Sequence, residues 1–338
     1  MSYTVDPQKK KESLYEFAYI SQNHIQLLAD LALDEVWYYG DQATSTDQYR
    51  ILRSYLRWTY WRLYKEDKIC FAQDTQAPQN NVSVKEYAAF NTGLVDKKYE
   101  YIYALFGSNV GYDQPWYSIG FFVAGQDFGG KTLVNFFNPL PPKANYFEGN
   151  MQNLFLDTSS GDIILDYEHI ICEHTERLPE KFVKKWIGDI DTNINDMSLD
   201  DAFALKASED EQDKDKREEY FKELGARIKN DSSVLNDMKE RIESAKNIAM
   251  KRVEWNYKTA VPMYYPRPNK ISLLLPLALV DKSKVDLALV IERTLSGAYM
   301  GHTILTLQMA YSNSRLIARP DSDWLQTSVI KEPIEEFD

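Results

Sequence analysis

Two of the four histidines in this chain stand in one short run, DYEHIICEHTERLP, from Asp166 to Pro179. His169, Cys172 and His174 are metal-ligand types at close spacing. Along a strand, however, His169 and Cys172 point to opposite faces, and no second Cys/His cluster exists to close a tetrahedral site. No metal and no other cofactor is assigned. General-base chemistry fits better, because an imidazole changes charge near neutral pH. Glu168, Glu173 and Arg177 stand near enough in sequence to tune His169. An ordinary surface histidine is the competing reading.

A second polar cluster runs from Tyr299 to Arg319. His302 follows Gly301 and opens an apparent strand, and Tyr311, Asn313 and Arg315 come after that strand ends. Polar groups beyond a strand terminus often build ligand sites. His302 as acid/base with Arg315 as charge clamp suits phosphate or phosphodiester chemistry, with Tyr299, Tyr311 and Asn313 lining the ligand. A capped helix on a packed strand is the plainer alternative. A third set lies nearer the N-terminus: Arg50, Arg53 and Arg57 at i, i+3 and i+7 share one helix face, close to Trp58, Tyr60, Trp61 and Tyr64. Arginine forks grip phosphate and stack on bases, so Arg53 and Arg57 are nucleotide- or RNA-binding candidates. A solvated face paired with Asp47 or Glu66 is the other reading. Asn91 and Thr92, in an apparent turn, complete the candidate set with Arg177.

The familiar strong motifs are absent. No Walker A run, CxxC pair, HExxH or GxSxG occurs, and AGQDFGGK (Ala124 to Lys131) does not match the dinucleotide fingerprint. That stretch reads as a hairpin loop, or as a backbone nest for an anion beside Lys131.

These residues need elements to hold them. The chain has 338 residues, 44% hydrophobic, enough for a sizeable core. The longest apolar run, Leu273 to Val280, contains Pro276 and is too short to span a bilayer, and the N-terminus lacks the apolar segment of a secretory signal. Two cysteines, Cys70 and Cys172, indicate a reducing cytoplasm rather than a disulfide framework. A net charge of −12 disfavours an extended basic surface and permits a local one. Aromatic residues reach 13%, with tyrosine the commonest, which suits half-buried pockets and stacking on planar ligands.

Apolar spacing predicts helices over Ser13 to Tyr39 and Asp47 to Glu66. Strand patterns follow at Ile69 to Phe71, Tyr87 to Leu94 and Tyr101 to Phe106. Glycine and proline then punctuate residues 107 to 165 into short runs, the mark of antiparallel structure, and Ile163 to Ile171 extends it. From Asp196 to Tyr257 the chain is charged and helix-favouring, with a late stripe of Val234, Met238, Ile242, Ala245, Ala249 and Val253. It reads as a partly solvated inserted arm. Ile271 to Leu279, Val285 to Arg293 and Thr303 to Leu307 predict three more strands.

The expected fold class is α+β: a mixed, largely antiparallel sheet with packed helices and an inserted acidic helical arm. Residues 1–195 form the N-terminal part of a single domain, 196–257 the arm, 258–325 the part completing the same sheet, and 326–338 a frayed acidic tail.

The runs AAFNTGLVDKKYEYIYALF, EHIICEHTERLP and WNYKTAVPMYYPRPNKISLLLPLAL, with ALVIERT and YMGHTILTLQMAYSNSRLIARPDSDWL, resemble a bacterial domain of unknown function. That family occurs alone or joined to LOTUS-type (OST-HTH) RNA-binding modules. The likeness covers roughly residues 30 to 325 apart from the acidic arm, and its motifs carry no known catalytic signature. It implies RNA or nucleotide work by analogy. The expectation is therefore a cytoplasmic RNA- or nucleotide-binding protein, a phosphoesterase or nucleotide-processing enzyme if it is catalytic, with no membrane association. In the alternative, a non-catalytic sensor or adaptor binds a nucleotide or recruits a protein partner through the acidic arm.

Overall fold

The structure is a computed structural model that describes residues 5–40, 42, 45, 47–74, 85–147, 154–205, 211–266 and 268–330, the side chain of Glu211 excepted. Its strands form two five-stranded sheets, and the chain divides into two compact units, residues 1–38 with 42–146 and residues 39–41 with 147–338. The α+β class is as expected, with both sheets mixed and largely antiparallel.

In the first unit the long helix expected over Ser13 to Tyr39 is broken into α1 (Leu14–Phe17), β1 (Ala18–Tyr19) and α2 (Gln22–Leu31). Ala18 and Tyr19 leave the helix to pair in parallel with Trp116 and Tyr117. Ser21 then restarts it, its hydroxyl accepting from the His24 amide at 3.3 Å. Helix α3 (Arg50–Lys65) buries Leu52, Leu56, Tyr60 and Leu63. Strands β2 (Cys70–Asp74), β3 (Lys85–Val95), β4 (Tyr101–Ser108) and β5 (Trp116–Val123) follow as a meander, giving the order β1-β5-β4-β3-β2. Phe17 joins the helices to this sheet, its ring 5.0 Å from Tyr60, 5.5 Å from Phe106 and 5.9 Å from Trp116.

The stretch read as a hairpin loop is instead the start of α4 (Asp127–Phe136). A side chain at Gly130 would run into the Val123 carbonyl. The glycine there serves close packing of helix on strand, a use that turn statistics cannot distinguish from a loop.

The second unit has its own sheet. Strands β7 (Val261–Tyr265), β8 (Lys270–Leu277), β9 (Leu287–Arg293) and β10 (Tyr299–Leu305) pair in sequence, and β6 (Ile164–Leu165) adds in parallel to β10. The expectation that the strands after the arm complete the earlier sheet is thus corrected. Apart from β1 on β5 and β6 on β10, the strands of each sheet pair with their sequence neighbours, which costs least in loop closure.

The helical reading of 196–257 is met by α6 (Leu199–Ala204), α7 (Glu211–Asn230) and α8 (Ser232–Trp255), following α5 (Glu180–Trp186); residues 206–210 lie outside the described residues. The peripheral reading is not met. Tyr220, Leu224 and Ile228 of α7 and the whole stripe Val234 to Val253 of α8 are buried in one cluster with Leu273, Leu275, Leu289 and Ile291 of the sheet. Apart from Lys246, buried with its Nζ donating to the Ile163 carbonyl at 3.1 Å, the charges lie mostly on the outer faces, which is why composition alone suggests an arm. Asp231 caps α8, accepting from the Ser233 and Val234 amides at 3.0 and 3.1 Å, so α7 and α8 form a tight hairpin.

Helix α9 (Leu307–Ile317) packs on β7. Of the expected frayed tail, Ile330 is buried, and 331–338 lie outside the described residues.

If α7 and α8 are the covering layer of this sheet, excising 211–255 abolishes the cooperative melt of the second unit. Ile242→Ala alone then costs about 2–5 kcal/mol. A denaturation series that leaves both transitions unchanged would show the hairpin to be peripheral.

Candidate functional site

The segment from Ile163 reaches the site by leaving the sheet early. Only Ile164 and Leu165 pair with β10, and the Asp166 amide then donates to the Gly301 carbonyl at 3.0 Å. The expected strand over 163–171 gives way to a π-helical turn, His169–Glu173, and a 3-10 turn, Thr175–Arg177. Helical turns of the π type recur at functional sites. Ile170 and Ile171 point into the core while Glu168 and Glu173 on either side stay exposed. Against this turn lies α7, so close at Gly225 that a side chain there would strike the Cys172 carbonyl.

Turning the strand into a helix changes who meets whom. His169 Nδ1 lies 2.6 Å from Glu173 Oε2, one helical turn on, and His174 Nδ1 lies 3.0 Å from Glu176 Oε1. The two imidazoles stand edge to face, centroids 4.6 Å apart at 89°. Arg177 is pinned beside them. Its Nη1 donates to Thr303 Oγ1 at 3.2 Å and to the Ile304 carbonyl at 3.0 Å, and its Nε lies 3.4 Å from Glu176. Its Nη2 makes no hydrogen bond among the described residues.

This cluster borders a cavity of about 1030 Å³. One wall is the turn from Cys172 to Arg177, the opposite wall is α7 with Arg217 and Lys222, and the start of α9 closes one end through Thr306 and Met309. Thr306 caps α9 by accepting from the Met309 amide. Lys222 is exposed and has no ion-pair partner among the described residues, whereas Lys229 is held by Glu168 at 2.7 Å.

Burial sets the electrostatics. It pushes the Glu176 carboxyl up, but the hydrogen bond and charge of His174 and the guanidinium of Arg177 outweigh it and hold Glu176 below the ordinary carboxylate range. Burial also lowers Arg177 and Arg217, and Glu176 opposes that shift in both. Glu176 is thus the shared counter-charge of two partly dehydrated guanidiniums. The Cys172 thiol is pushed up to about 11, first by burial and then by Glu168, so it is a wall residue and not a thiolate nucleophile.

Of the residues selected from sequence, the structure brings His169 and Arg177 together, through His174 and Glu176. The others do not join them at this cavity. His302 Nε2 lies 3.4 Å from Glu292, which also holds Lys270 at 2.5 Å and Ser272 at 3.1 Å, a polar cross-strand cluster. Arg315 is 9% exposed, buried with the packing side of α9. Tyr299 belongs to the core, its hydroxyl accepting from the Asp157 amide at 3.1 Å. Tyr311 packs edge-on against Tyr39 at 6.0 Å, and the Asn313 amide group rests on Met263 Sδ at 3.9 Å.

In the first unit Asn91 and Thr92 are buried in β3 and not in an exposed turn. Asn91 Oδ1 accepts from the Gly93 amide at 2.9 Å, and Thr92 Oγ1 donates to the Ile102 carbonyl at 2.7 Å, so both hold a strand irregularity. Arg53 is engaged by Asp47 and Gln22, and Arg57 lies 5.6 Å from the Trp58 ring. The ion pair expected for Glu66 is made by the buried Arg62 at 2.5 Å.

His174, weighed in the sequence only as a metal ligand, and Glu176, Arg217 and Lys222, not singled out there, are the site residues that sequence reasoning did not place. The first two were visible as a histidine and a carboxylate two residues apart. The last two lay in the segment read as an arm, and only the placement of α7 reveals them.

The chain belongs to the family described as Domain of unknown function (DUF3825), whose model matches residues 28–324. No curated protein and no solved structure matches it. Among the described residues no helix is long and apolar enough to cross a membrane.

Two outcomes follow from this geometry. A carboxyl held below its unfolded value of 4.5 stabilises the fold above that pH, and the stabilisation is lost as pH falls through the folded value. Glu176→Gln should therefore lower the melting temperature near neutrality and converge with the parent in acid. A gap that is independent of pH would contradict the ion-pair assignment. Gly225→Ala, which favours an isolated helix, should here destabilise by about 1–3 kcal/mol, because the new methyl meets the Cys172 carbonyl. Urea titration of this variant reads the sign.

Proposed function

We propose that this family member binds a phosphorylated nucleotide, free or as a unit of single-stranded RNA, in the cavity between the Cys172–Arg177 turn and α7. The observation that carries the reading is Arg177: its guanidinium lines the cavity, is fixed by β10 through Nη1 and keeps Nη2 unengaged among the described residues. A pre-positioned guanidinium loses little freedom on gripping a phosphate. Arg217 and Lys222 add positive charge on the facing wall, and amides at the start of α9 favour an anion further. The carboxylates of the outer wall, Asp215, Glu218 and Glu219, are exposed and hydrated, so they oppose this field less than the partly dehydrated guanidiniums build it.

The volume of about 1030 Å³ suits a nucleotide rather than a small anion. Resemblance to a family found joined to LOTUS-type RNA-binding modules supports the same ligand class by analogy. Two free cysteines, Cys70 and Cys172, are in keeping with a cytoplasmic setting. The adaptor alternative is weaker, because the helices read as an acidic recruiting arm are packed into the second unit's own core.

Fluorescence anisotropy with labelled adenosine nucleotides and a short labelled RNA tests the proposal. Lys222→Glu should weaken binding about tenfold, equivalent to about 1.4 kcal/mol, with an unchanged melting temperature because the side chain is exposed and unpaired among the described residues. Unaltered affinity at low salt, or no binding by the parent protein, would reject the cavity as the site.

A further inference from the structure

We propose that His169 and His174 are an acid–base pair that cleaves RNA by transfer of the phosphate to the adjacent 2′-hydroxyl. The proposal rests on the nucleotide-binding reading of the cavity and adds a reaction to it. Each imidazole is oriented by its own carboxylate, Glu173 at 2.6 Å and Glu176 at 3.0 Å, and in both the contact is at Nδ1. A carboxylate accepts the Nδ1 proton, which makes Nε2 the atom that exchanges protons with a ligand. Neither Nε2 has a hydrogen-bond partner among the described residues that would occupy it. The ring centroids are 4.6 Å apart, so one phosphodiester group held at His174, which lines the cavity, lies close to His169 beside it.

Among its described residues the site supplies a proton acceptor, a proton donor and cations but no activated nucleophile, its Thr306 hydroxyl being engaged in the α9 cap. Its one thiol, Cys172, is buried and protonated. RNA brings a nucleophile already in place, one bond system away from the phosphorus, which converts the attack into an intramolecular step. The neutral imidazole takes the 2′-hydroxyl proton at Nε2 as the O2′–P bond forms. The protonated imidazole gives its Nε2 proton to O5′ as the P–O5′ bond breaks. The products are a 2′,3′-cyclic phosphate and a 5′-hydroxyl, with no change of oxidation state and no co-reactant. Arg177 Nη2 and Lys222 Nζ meet the charge that grows on the non-bridging oxygens.

The test uses the full chain, a labelled single-stranded RNA, and the same strand with 2′-deoxyribose throughout. The RNA should be cut to fragments ending in cyclic phosphate and the deoxy strand left intact. His169→Ala and His174→Ala should each slow cleavage by about 10²–10⁴-fold while anisotropy shows RNA still bound. His169→Asn and His174→Asn provide the check if an alanine variant melts early. RNA that binds but is not cut, equal cutting of the deoxy strand, or full rates in folded variants would overturn the reaction and leave the binding reading standing. RNA that does not bind would instead overturn the binding reading, and the reaction with it.

Discussion

The Arg177 guanidinium is the constraint on which the second unit's site depends. Its Nη1 bridges the Thr303 hydroxyl and the Ile304 carbonyl, joining the turn after the π-helical segment to the interior strand β10. A buried arginine is costly unless it is hydrogen-bonded and has a counter-charge, and Glu176 supplies that charge. Glu176 in turn holds His174, and His174 packs on His169. One ionic contact thus sets the positions of four polar side chains. The rigidity comes from β10, whose neighbours on both sides pair with it along the sheet.

The helical hairpin α7–α8 shows how charge and burial are divided on a single element. Lysine, glutamate and aspartate fill the outer faces, while Leu224, Ile228, Met238, Ile242 and Ala249 cover the sheet. Burying such side chains stabilises by about 1.5–3 kcal/mol each, so the hairpin is integral to the second unit. The same hairpin supplies the facing wall of the cavity, with Arg217 and Lys222 beside Asp215, Glu218 and Glu219. Packing and cavity shape are therefore linked: Gly225 lets α7 approach the π-helical turn, and that approach sets the width of the cavity.

In the first unit the aromatic excess goes mainly into packing. Phe17, Tyr60, Phe90, Phe106 and Trp116 form one connected set of ring contacts. The tryptophans and arginines of α3 that look like a base-stacking face are largely engaged with each other or with nearby acids, as in the Arg57–Trp58 and Arg53–Asp47 contacts. Aromatic and basic residues adjacent in sequence satisfy one another when a helix places them within reach.

By itself the sequence determined the local periodicities: the strands β3, β4, β5, β8 and β9, the helix α3 and the buried stripe of α8 all follow from apolar spacing, which reports which face of an element is dry. It also singled out the run from Asp166 to Pro179 as chemically loaded. Tertiary structure alone decided the rest. Whether Ile163 to Ile171 continues as a strand or turns into a helix depends on where β10 ends its pairing, and that choice brings His169 to Glu173 and the two imidazoles together. Whether Gly130 marks a loop or a tight helix contact depends on the Val123 carbonyl, seven residues earlier in sequence. Whether α7 is an arm or a wall depends on a sheet formed from strands after it. Local propensity is set by neighbours along the chain, whereas a site is set by groups that only folding brings within a few ångströms.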